Sequence, residues 1–551
     1  MDRKIVIIGG VAAGATGAAK ARRTSEDVQI TMAEKGRYIS FANCGLPYYT
    51  GGVIESRNSV LLHTKKTFGD RFNAEVLVNT EAVEIDPAKK TVVFRTPDGM
   101  TERPYDKLLI ATGAKTFIPN IDGIDTVPYF TMRTVEDADG VKAFIENNKP
   151  KTALVIGAGF IGIEVAEAML HCGIKPTVVE ALPEVMPNFP KIVAMNLREK
   201  MIEEGCEVIV NTFVKKLEKT DNNISVELSD GRKLATDLVL MCTGVKPDVS
   251  LAVSAGVELG QRGGILTDER MLTNVADIYA AGDVVEKTNL ITGKKMLLPL
   301  AGPANREGRT AGTNMAGGDM IFKGVIGSSV LGFQGFVMAQ TGLTYEQALA
   351  EGFDADYVYT EDVNTSSYYP GHGYIFMMTV YDKKTGRLLG LSACGADGTE
   401  KRADEAAVAI YAGLSVYDLE HLEFCYAPPF ASAKDNLNIA GFVASNNLRG
   451  IGYTVAPEFI LEKMKKNEKP QLIDVRSSLE FKGPKLEGAI NIFVNDVRKN
   501  TDKIDRSRPV YVYCAVGFRG YLAVRTLRNL GYEAYNITGG IEAYNRAARI
   551  A

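Results

Sequence analysis

The glycine-rich turn of residues 157–162 limits the fold of this 551-residue chain more than any other segment. It reads Gly157-Ala158-Gly159-Phe160-Ile161-Gly162, follows the predicted strand Ala153–Ile156 and opens a helix that runs to about Cys172. The strand Pro176–Glu180 is predicted next, which completes a strand–helix–strand unit. In such a unit Gly157, Gly159 and Gly162 let the backbone approach a pyrophosphate, and the helix N-terminus offers free N–H groups. The segment therefore predicts a dinucleotide-binding domain.

The acidic residue Glu180 ends this unit, 18 residues after Gly162. A carboxylate at that place accepts a hydrogen bond from a ribose 2′-hydroxyl and repels a 2′-phosphate. The sequence therefore favours NADH as the dinucleotide and leaves some use of NADPH open.

A less regular copy of the same unit begins the chain. The strand Lys4–Ile8, the helix Ala12–Arg23 and the strand Val28–Ala33 are predicted in that order. Gly9 and Gly14 occupy the outer positions of the turn, Val11 stands where the second glycine belongs, and Glu34 follows the second strand. The repeat, about 150 residues apart, predicts two dinucleotide-binding, Rossmann-like domains.

Length and composition describe a soluble protein of several domains, since 551 residues exceed what one hydrophobic core supports. A net charge of −4 without a basic block argues against nucleic acid, and no apolar run is long enough to span a bilayer. The chain enters a predicted strand at once, which leaves no room for a signal peptide, and its seven cysteines are widely spread. We therefore expect a reducing cytoplasm and no disulfide framework, and the absence of a CxxC pair gives no support to a metal site.

Two further segments carry a family resemblance. The strings Leu108-Leu109-Ile110-Ala111-Thr112-Gly113-Ala114 and Ile278-Tyr279-Ala280-Ala281-Gly282-Asp283 resemble the paired signatures of the two-dinucleotide-binding-domain flavoprotein disulfide reductases. This resemblance implies FAD as a cofactor beside NADH. In that family the aspartate of the second string contacts the ribityl–phosphate region of the flavin, which implies this role for Asp283, with Thr112, Gly113 and Gly282 nearby.

Cys44 is the candidate redox residue. Most members of the superfamily use two cysteines five residues apart, but positions 39 and 49 are Ile39 and Tyr49. Cys44 must then form a mixed disulfide with its substrate, or a sulfenic acid. Because a helix is predicted from Leu46 onward, its dipole is expected to lower the pKa of Cys44 and favour the thiolate. A buried structural cysteine is the alternative.

The string Ser-Phe-x-Asn-Cys-Gly-Leu-Pro-Tyr around Cys44 closely resembles the single-cysteine subgroup that contains coenzyme A disulfide reductases and NADH oxidases and peroxidases. The resemblance covers residues 1 to about 446. Peroxidases place a histidine where Ala12 stands here, so the acid expected for peroxide reduction is missing.

Coenzyme A disulfide reductases use tyrosines near the flavin and the cysteine. Tyr426 matches one of them, and Tyr368 or Tyr369 matches the other, with the register open. A phenol can donate a proton to a departing thiolate. The family supplies these tyrosines from the partner subunit, so the resemblance implies a homodimer. Core packing of Tyr426 is the alternative.

Coenzyme A needs cations for its phosphates. Arg22 and Arg23 end the first predicted helix. The family's substrate contacts match Thr16, Arg23, Ser40 and Asn43, and Lys434 falls where the family has a basic contact. Solvated arginines at a helix end are the alternative reading of Arg22 and Arg23.

Cys514 belongs to a second sulfur-binding segment. It ends the predicted strand Val510–Tyr513, and a helix is predicted from Arg519. N–H groups of the small-residue loop between them can converge on an anionic sulfur. Together with Asp474-Val475-Arg476 and Gly539-Gly540-Ile541, this segment resembles the rhodanese (sulfurtransferase) domain over about residues 455–551. Asp474 and Arg476 are expected to be structural in that domain. Its Cys-x4-Arg loop is shorter than the Cys-x5-Arg loop of a related phosphatase architecture and suits sulfur. A non-catalytic rhodanese-like domain is the alternative.

These features predict an α/β fold with an FAD-binding domain (residues 1–149 and 276–325), an NAD(P)H-binding domain (150–275), an α+β dimerisation domain (326–446), a linker (447–454) and a rhodanese-like domain (455–551). The expected enzyme is a flavoprotein oxidoreductase that takes electrons from NAD(P)H. It would reduce coenzyme A persulfide, polysulfide or coenzyme A disulfide through Cys44, with Cys514 carrying sulfane sulfur. Two alternatives stay open, an NADH oxidase that reduces O₂ and a redox-sensing sulfur-carrier protein.

Overall fold

A computed structural model describes residues 3–550 of the chain. It divides into two compact units, one formed by Met1–Leu182 and Gly205–Val325, the other by Pro183–Glu204 and Ile326–Ala551. The segment Pro183–Glu204, which the sequence placed in the NAD(P)H-binding domain, is thus grouped with the second unit. Between residues 3 and 550, no helix combines the length and the apolar character needed to cross a membrane.

The first unit begins with a five-stranded parallel sheet. Its strands lie in the order Ile278–Ala280, Lys107–Ile110, Arg3–Ile8, Val28–Ala33 and Glu75–Leu77. Helices Ala12–Thr24 and Ala301–Met315 pack closely on each other because glycines face each other at the contact. A Cβ on Gly312 would come 2.2 Å from the Gly17 carbonyl oxygen. This contact fixes the first glycine turn against the sheet.

The same unit contains a second parallel sheet, which forms the other Rossmann-like half. Its strands lie in the order Glu207–Ile209, Lys175–Val179, Thr152–Ile156 and Leu238–Met241, and helix Phe160–His171 follows the second glycine turn. The predicted pair of strand–helix–strand units is confirmed. The remaining α-helices of this unit are Leu46–Thr50, Lys65–Phe72, Val135–Asn148 and Ser250–Ser254. The strands of its small antiparallel sheets are Glu81–Asp86, Thr91–Thr96, Gly99–Pro104, Ala114–Thr116, Val214–Lys219, Ile224–Leu228, Lys233–Thr236, Val245–Pro247, Lys287–Thr288 and Lys295–Met296.

The second unit contains a five-stranded antiparallel sheet flanked by helices. Its strands lie in the order Ser329–Phe333, Phe336–Gly342, Leu388–Gly395, Tyr374–Asp382 and Ala355–Val363. The helices are Lys191–Glu203, Tyr345–Ala350, Thr399–Ala412, Val416–Leu419 and Asn436–Leu448. The last of these helices overlaps the first two residues of the predicted linker, 447–454. Helix Asn436–Leu448 buries Ala440, Ala444 and Ser445, and Gly450, with a φ of 68°, follows in the turn after its end.

The C-terminal part of this unit is an α/β domain around a five-stranded parallel sheet. The strand order is Thr454–Val455, Ala534–Ile537, Val510–Tyr513, Gln471–Asp474 and Ile490–Asn491. Val510–Tyr513 is central and buried along its whole length, as its apolar sequence predicts. The helices are Pro457–Lys465, Ser478–Phe481, Phe518–Asn529 and Gly540–Ile550. Asp474 and Arg476 form a buried ion pair of 2.7 Å, so their predicted structural role is confirmed.

The C-terminal domain packs on the antiparallel sheet of its own unit. Arg546 donates to both carboxylate oxygens of Glu361 at 2.7 and 2.9 Å, and its guanidinium lies over the Phe376 ring. The Thr538 hydroxyl accepts from the Tyr359 N–H at 3.1 Å and donates to the Tyr359 carbonyl at 3.0 Å. Buried two-pronged contacts of this kind fix the orientation of one domain on the other.

Candidate active site

A cavity of about 490 Å³ lies at the carboxyl ends of the first parallel sheet. Open α/β sheets bind their ligands at this edge. Residues from several separate segments of the chain meet there, and Cys44 is the one cysteine among the described residues that line it. The lining includes these predicted site residues: Gly9, Glu34, Asn43, Cys44, Thr112, Gly113, Gly282 and Asp283.

The two glycine turns have the geometry that a pyrophosphate requires. Gly9 and Gly157 both have a φ of +101°, which favours glycine. A Cβ on Gly14 would lie 1.8 Å from the Gly9 oxygen, and one on Gly162 would lie 2.0 Å from the Gly157 oxygen. Gly159, in contrast, has open space where its Cβ would be, so a phosphate can approach the backbone there.

Val11 explains why the first turn departs from the usual pattern. Its φ of −103° lies in a range that any residue adopts, so this position does not need a glycine. The turns therefore fit a dinucleotide in both halves of the first unit.

Glu34 and Glu180 make the same contacts in the two halves. Glu34 accepts the Gly10 N–H at 2.8 Å and the Gly36 N–H at 2.9 Å. Glu180 accepts the Ala158 N–H at 2.8 Å and the Leu182 N–H at 2.9 Å. Each carboxylate thus stands beside its glycine turn, the position at which a ribose hydroxyl would meet it.

Arg133 connects the Cys44 segment with Asp283. It forms an ion pair of 3.2 Å with Asp283, and its carbonyl accepts the Asn43 side-chain amide at 3.0 Å. Thr112 donates its hydroxyl to the Asp248 carbonyl at 2.7 Å, and the neighbouring Gly113 has a φ of 70°. These contacts fix the floor of the cavity.

A buried ion pair that the sequence did not reveal holds Gly282. Glu307 accepts the Gly282 N–H at 2.8 Å, Lys287 donates to the Gly282 carbonyl at 2.8 Å, and the two charged groups lie 3.4 Å apart without exposure. Loss of hydration raises the pKa of Glu307, although the charge of Lys287 opposes this. The signal available in the sequence was weak, because a lysine and a glutamate in polar segments look like surface residues.

The environment of Cys44 differs from the expectation. Cys44 lies inside a single turn of 3-10 helix, Asn43–Gly45, and the α-helix that follows has only five residues. Although its side chain is exposed, loss of hydration by the surrounding groups raises the pKa of Cys44, and the charges of Glu164 and Asp283 raise it further, against Arg133. The prediction of a lowered pKa is therefore wrong, because so short a helix provides little dipole to oppose these effects.

Glu164 is a second titratable group near Cys44 that the sequence did not reveal. It lies two residues after Gly162 on helix Phe160–His171. Loss of hydration and the charge of Glu167 raise the pKa of Glu164 to about 7. The pKa of Tyr48 is in turn raised to about 12, first by loss of hydration and then by the charges of Glu164, Glu167 and Cys44. Groups whose pKa is strongly shifted by burial and neighbouring charge cluster at functional sites, which makes Glu164 a candidate member of this one.

The residues matched to coenzyme A contacts fall into two groups. Arg22 is buried and donates to the carbonyls of Phe72, Glu26, Val28 and Asn73, so it has no donor left for a phosphate and we leave it out of the proposed site. Arg23 is exposed, the Thr16 hydroxyl donates to Asn305 at 2.6 Å, and the Ser40 N–H donates to the Gly10 carbonyl. Lys434 is exposed on the second unit.

In the second unit, the hydroxyls of Tyr368 and Tyr426 lie 2.9 Å apart. Tyr426 is 48% exposed and Tyr368 is 73% exposed, so core packing does not explain either residue. Hydrogen bonds to Ser366 and to Tyr426 lower the pKa of Tyr368. Tyr369, the other candidate, has no such contact with Tyr426 in the described structure.

Cys514 lies at the end of the central strand of the C-terminal domain, with 1% exposure. The Gly517 N–H donates to its sulfur at 3.1 Å, and the Ile541 N–H donates to its carbonyl at 2.9 Å. A hydrogen bond from Arg519 to Glu480 raises the pKa of Arg519, and the nearby Cys514 raises it further. The loop thus provides one N–H and one cation for an anionic sulfur.

Comparison with known proteins agrees with this architecture. Residues 3–308 match the pyridine nucleotide-disulphide oxidoreductase family, residues 329–437 match its dimerisation domain and residues 460–547 match the rhodanese-like domain. The chain belongs to the pyridine nucleotide-disulphide oxidoreductase family. As a member it is an oxidoreductase that uses FAD and NAD(P)H, and its dimerisation domain indicates a dimer.

Three matched proteins are informative. The crystal structure of reduced CoADR-RHD from Bacillus anthracis has a TM-score of 0.97 and 38% identity, and the match covers 100% of this chain and 99% of that chain. The NAD(P)H coenzyme A polysulfide/persulfide reductase of Pyrococcus horikoshii is 33% identical over 79% of this chain and 97% of that relative. An NADH oxidase of Methanocaldococcus jannaschii is 34% identical over the same shares, 79% and 97%.

Proposed function

We propose that this protein is an FAD-dependent reductase that uses NAD(P)H to reduce coenzyme A persulfide, polysulfide or coenzyme A disulfide. One observation carries the proposal: Cys44 lies in the cofactor cavity without a second cysteine in the described lining, in a chain that also holds Cys514 in a rhodanese-like loop. A lone active-site thiol must bond to its substrate, because it has no partner thiol with which to form an internal disulfide.

Cys44 performs the sulfur chemistry. Its thiolate attacks the S–S bond of the substrate, forms a mixed disulfide or a persulfide on Cys44, and releases hydrosulfide or a thiol. Gly9, Glu34 and Asp283 would hold FAD in the cavity that Cys44 lines. The flavin would supply the nicotinamide's electron pair, which would break the S–S bond on Cys44, restore its thiolate and release the remaining thiol or hydrosulfide. The charge of the Glu164 carboxylate raises the pKa of Cys44, so the protonation state of Glu164 would influence how much Cys44 is thiolate.

The Tyr368–Tyr426 pair provides the proton for the leaving thiolate. Its hydrogen bond lets one hydroxyl donate while the other stabilises the charge that develops. We place this pair at the active site of the partner subunit of a homodimer, as the family resemblance implies. Thr16, Arg23, Ser40, Asn43 and Lys434 would bind the coenzyme A.

Cys514 accepts or delivers sulfane sulfur as a persulfide. The Gly517 N–H and Arg519 stabilise its anionic form. Transfer to Cys44 either occurs directly or uses a coenzyme A persulfide as carrier. We expect the protein to act in a reducing cytoplasm, since Cys44 and Cys514 both function as free thiols.

Mass spectrometry of the trapped intermediate tests the proposal. Protein mixed with coenzyme A persulfide in the absence of NADH should gain the mass of coenzyme A, or of one sulfur, on the peptide that contains Cys44. Addition of NADH should remove it. A Cys44 peptide that stays unmodified, with all added mass on Cys514, would contradict the assigned role of Cys44.

An NADH oxidase is the second candidate, because the Methanocaldococcus jannaschii relative carries that name. In that case Cys44 would cycle through a sulfenic acid and O₂ would be the acceptor. Rapid aerobic NADH consumption without any sulfur substrate would favour this candidate. The C-terminal domain would then have no part in the reaction.

A further inference from the structure

Glu480 and Arg519 form a two-pronged ion pair beside Cys514. Arg519 donates to the two oxygens of Glu480 at 2.9 and 2.6 Å and also contacts the Cys514 thiol. One of these oxygens accepts the Ser477 N–H at 2.9 Å and the Ser477 hydroxyl at 2.7 Å. The Glu480 carboxylate is therefore held by both Arg519 and Ser477. The Arg519 guanidinium that lies beside Cys514 is already paired with the negative charge of Glu480.

The pair is neutral at every pH at which Cys514 reacts. Hydrogen bonds from Arg519 and then from Ser477 lower the pKa of Glu480 to about 2. Arginine stays protonated throughout this range. The cation that contacts Cys514 thus offers hydrogen-bond donors without a net positive charge.

The side chains next to this pair are apolar and exposed. Leu479 precedes Glu480 and is 76% exposed, while Phe518 precedes Arg519 and is 66% exposed. Leu522 lies one helical turn after Phe518 and is also exposed. An apolar surface of this kind suits an aliphatic thiol, but it offers no charge or hydrogen bond to offset the hydration that a small dianion loses on binding.

We propose that Glu480 determines the donor specificity of Cys514 by neutralising Arg519, so that the site accepts sulfane sulfur from organic persulfides and discriminates against thiosulfate. This inference rests on the proposed role of Cys514 as a sulfane-sulfur carrier. The Cys514 thiolate attacks the outer sulfur of R–S–S–H and forms a new S–S bond to it, while the S–S bond of the donor breaks. The leaving R–S⁻ takes the proton of the transferred S–H group, which gives R–SH and an anionic persulfide on Cys514. With thiosulfate the same attack must expel a sulfite dianion next to a negatively charged persulfide.

The test measures sulfur loading of Cys514 in the full-length Cys44→Ser chain without NADH, so its outcome does not depend on the reductase activity. Rapid quenching and mass spectrometry give the loading rate from pantetheine persulfide, which has an uncharged arm, and from thiosulfate. We expect the first donor to react at least about 100-fold faster. Glu480→Gln should raise the thiosulfate rate about tenfold and leave the pantetheine persulfide rate within about threefold, since it removes one unit of charge and keeps an acceptor for Ser477.

Glu487→Gln is the matched control, because Glu487 is an exposed carboxylate of the same domain. Ionic strength gives a second measurement that needs no variant: salt should speed the thiosulfate reaction and leave the pantetheine persulfide reaction unchanged. Equal rates for the two donors in the parent chain would overturn the proposal. So would a Glu480→Gln variant that changes both rates in parallel, because that result indicates a purely structural role.

Discussion

The hydroxyls of Tyr368 and Tyr426 form a hydrogen bond of 2.9 Å although 58 residues separate them in the chain. Both rings are exposed in the single chain, so the pair does not contribute to a hydrophobic core. Exposed aromatic residues that are paired through their hydroxyls are available to a ligand or a partner subunit. This arrangement supports Tyr368, not Tyr369, as the companion of Tyr426.

Removal of the Tyr426 hydroxyl should slow the reduction of coenzyme A persulfide. We expect Tyr426→Phe to lower kcat about 100-fold, the lower end of what a general acid contributes, with coenzyme A binding little changed. Tyr368→Phe should have a smaller effect, about tenfold, and the double variant should be no worse than Tyr426→Phe alone because the two hydroxyls act as one unit. Tyr369→Phe is the control. If that variant were as defective as Tyr426→Phe, the assignment of the proton donor to the Tyr368–Tyr426 pair would be wrong.

The charge of Glu164 should control the reactivity of Cys44. Because ionised Glu164 raises the pKa of Cys44, Glu164→Gln should lower that pKa, and iodoacetamide should alkylate Cys44 several-fold faster near pH 8. The pKa of Glu164 is about 7 in the folded protein, whereas its ordinary value is 4.5, so the folded state binds this proton more tightly than the unfolded state does. The resulting stability is present below pH 4.5 and is lost as the pH rises from 4.5 through 7. Glu164→Gln should therefore also raise the melting temperature above pH 7. An unchanged alkylation profile would remove Glu164 from the site.

Lys287→Met should weaken FAD binding without altering any residue that lines the cavity. The substitution leaves Glu307 as an unpaired buried carboxylate, which costs about 3–5 kcal/mol, and frees the Gly282 carbonyl that precedes Asp283. The ratio of flavin to protein after purification and urea unfolding of the FAD-free protein measure the two effects. Lys66→Met, which breaks an exposed pair with Asp70, should retain its flavin. Full flavin content in Lys287→Met would show that this ion pair does not position Gly282.

The orientation of the C-terminal domain should depend on Arg546. Arg546→Leu leaves Glu361 buried without its partner, and we expect a loss of about 3 kcal/mol and faster proteolytic cleavage near Gly450. Arg549→Leu on the same helix breaks an exposed pair with Glu199 and should have little effect. Equal protease sensitivity of the two variants would indicate that other contacts hold the domain.

The sequence predicted most of the fold because the period of its apolar residues and its glycine turns are local signals. Strand Val28–Ala33 and strand Val510–Tyr513 have the predicted bounds, and helix Ala12–Thr24 differs by one residue. The predicted linker, 447–454, overlaps the end of helix Asn436–Leu448 because Asn447 is typical of loops, whereas burial of the earlier turns stabilises the helix.

The parts of the site that the sequence did not reveal depend on contacts between distant segments. Arg22 looked like a phosphate ligand, but its donors bind carbonyls of residues up to 51 positions away. The raised pKa of Cys44 comes first from loss of hydration and then from the charges of Glu164, 120 residues later, and Asp283. No local pattern encodes such contacts, nor the ion pair of Lys287 and Glu307 or the pairing of Tyr368 with Tyr426.

Anaerobic NADH oxidation with coenzyme A persulfide as acceptor, compared between the intact protein and Cys44→Ser, tests the central claim most directly. The account predicts rapid turnover with release of hydrosulfide in the intact protein, and loss of that turnover in Cys44→Ser although bound FAD is still reduced by NADH. Absence of sulfur-dependent turnover, with NADH consumed only after oxygen is admitted, would contradict it and identify the protein as an oxidase.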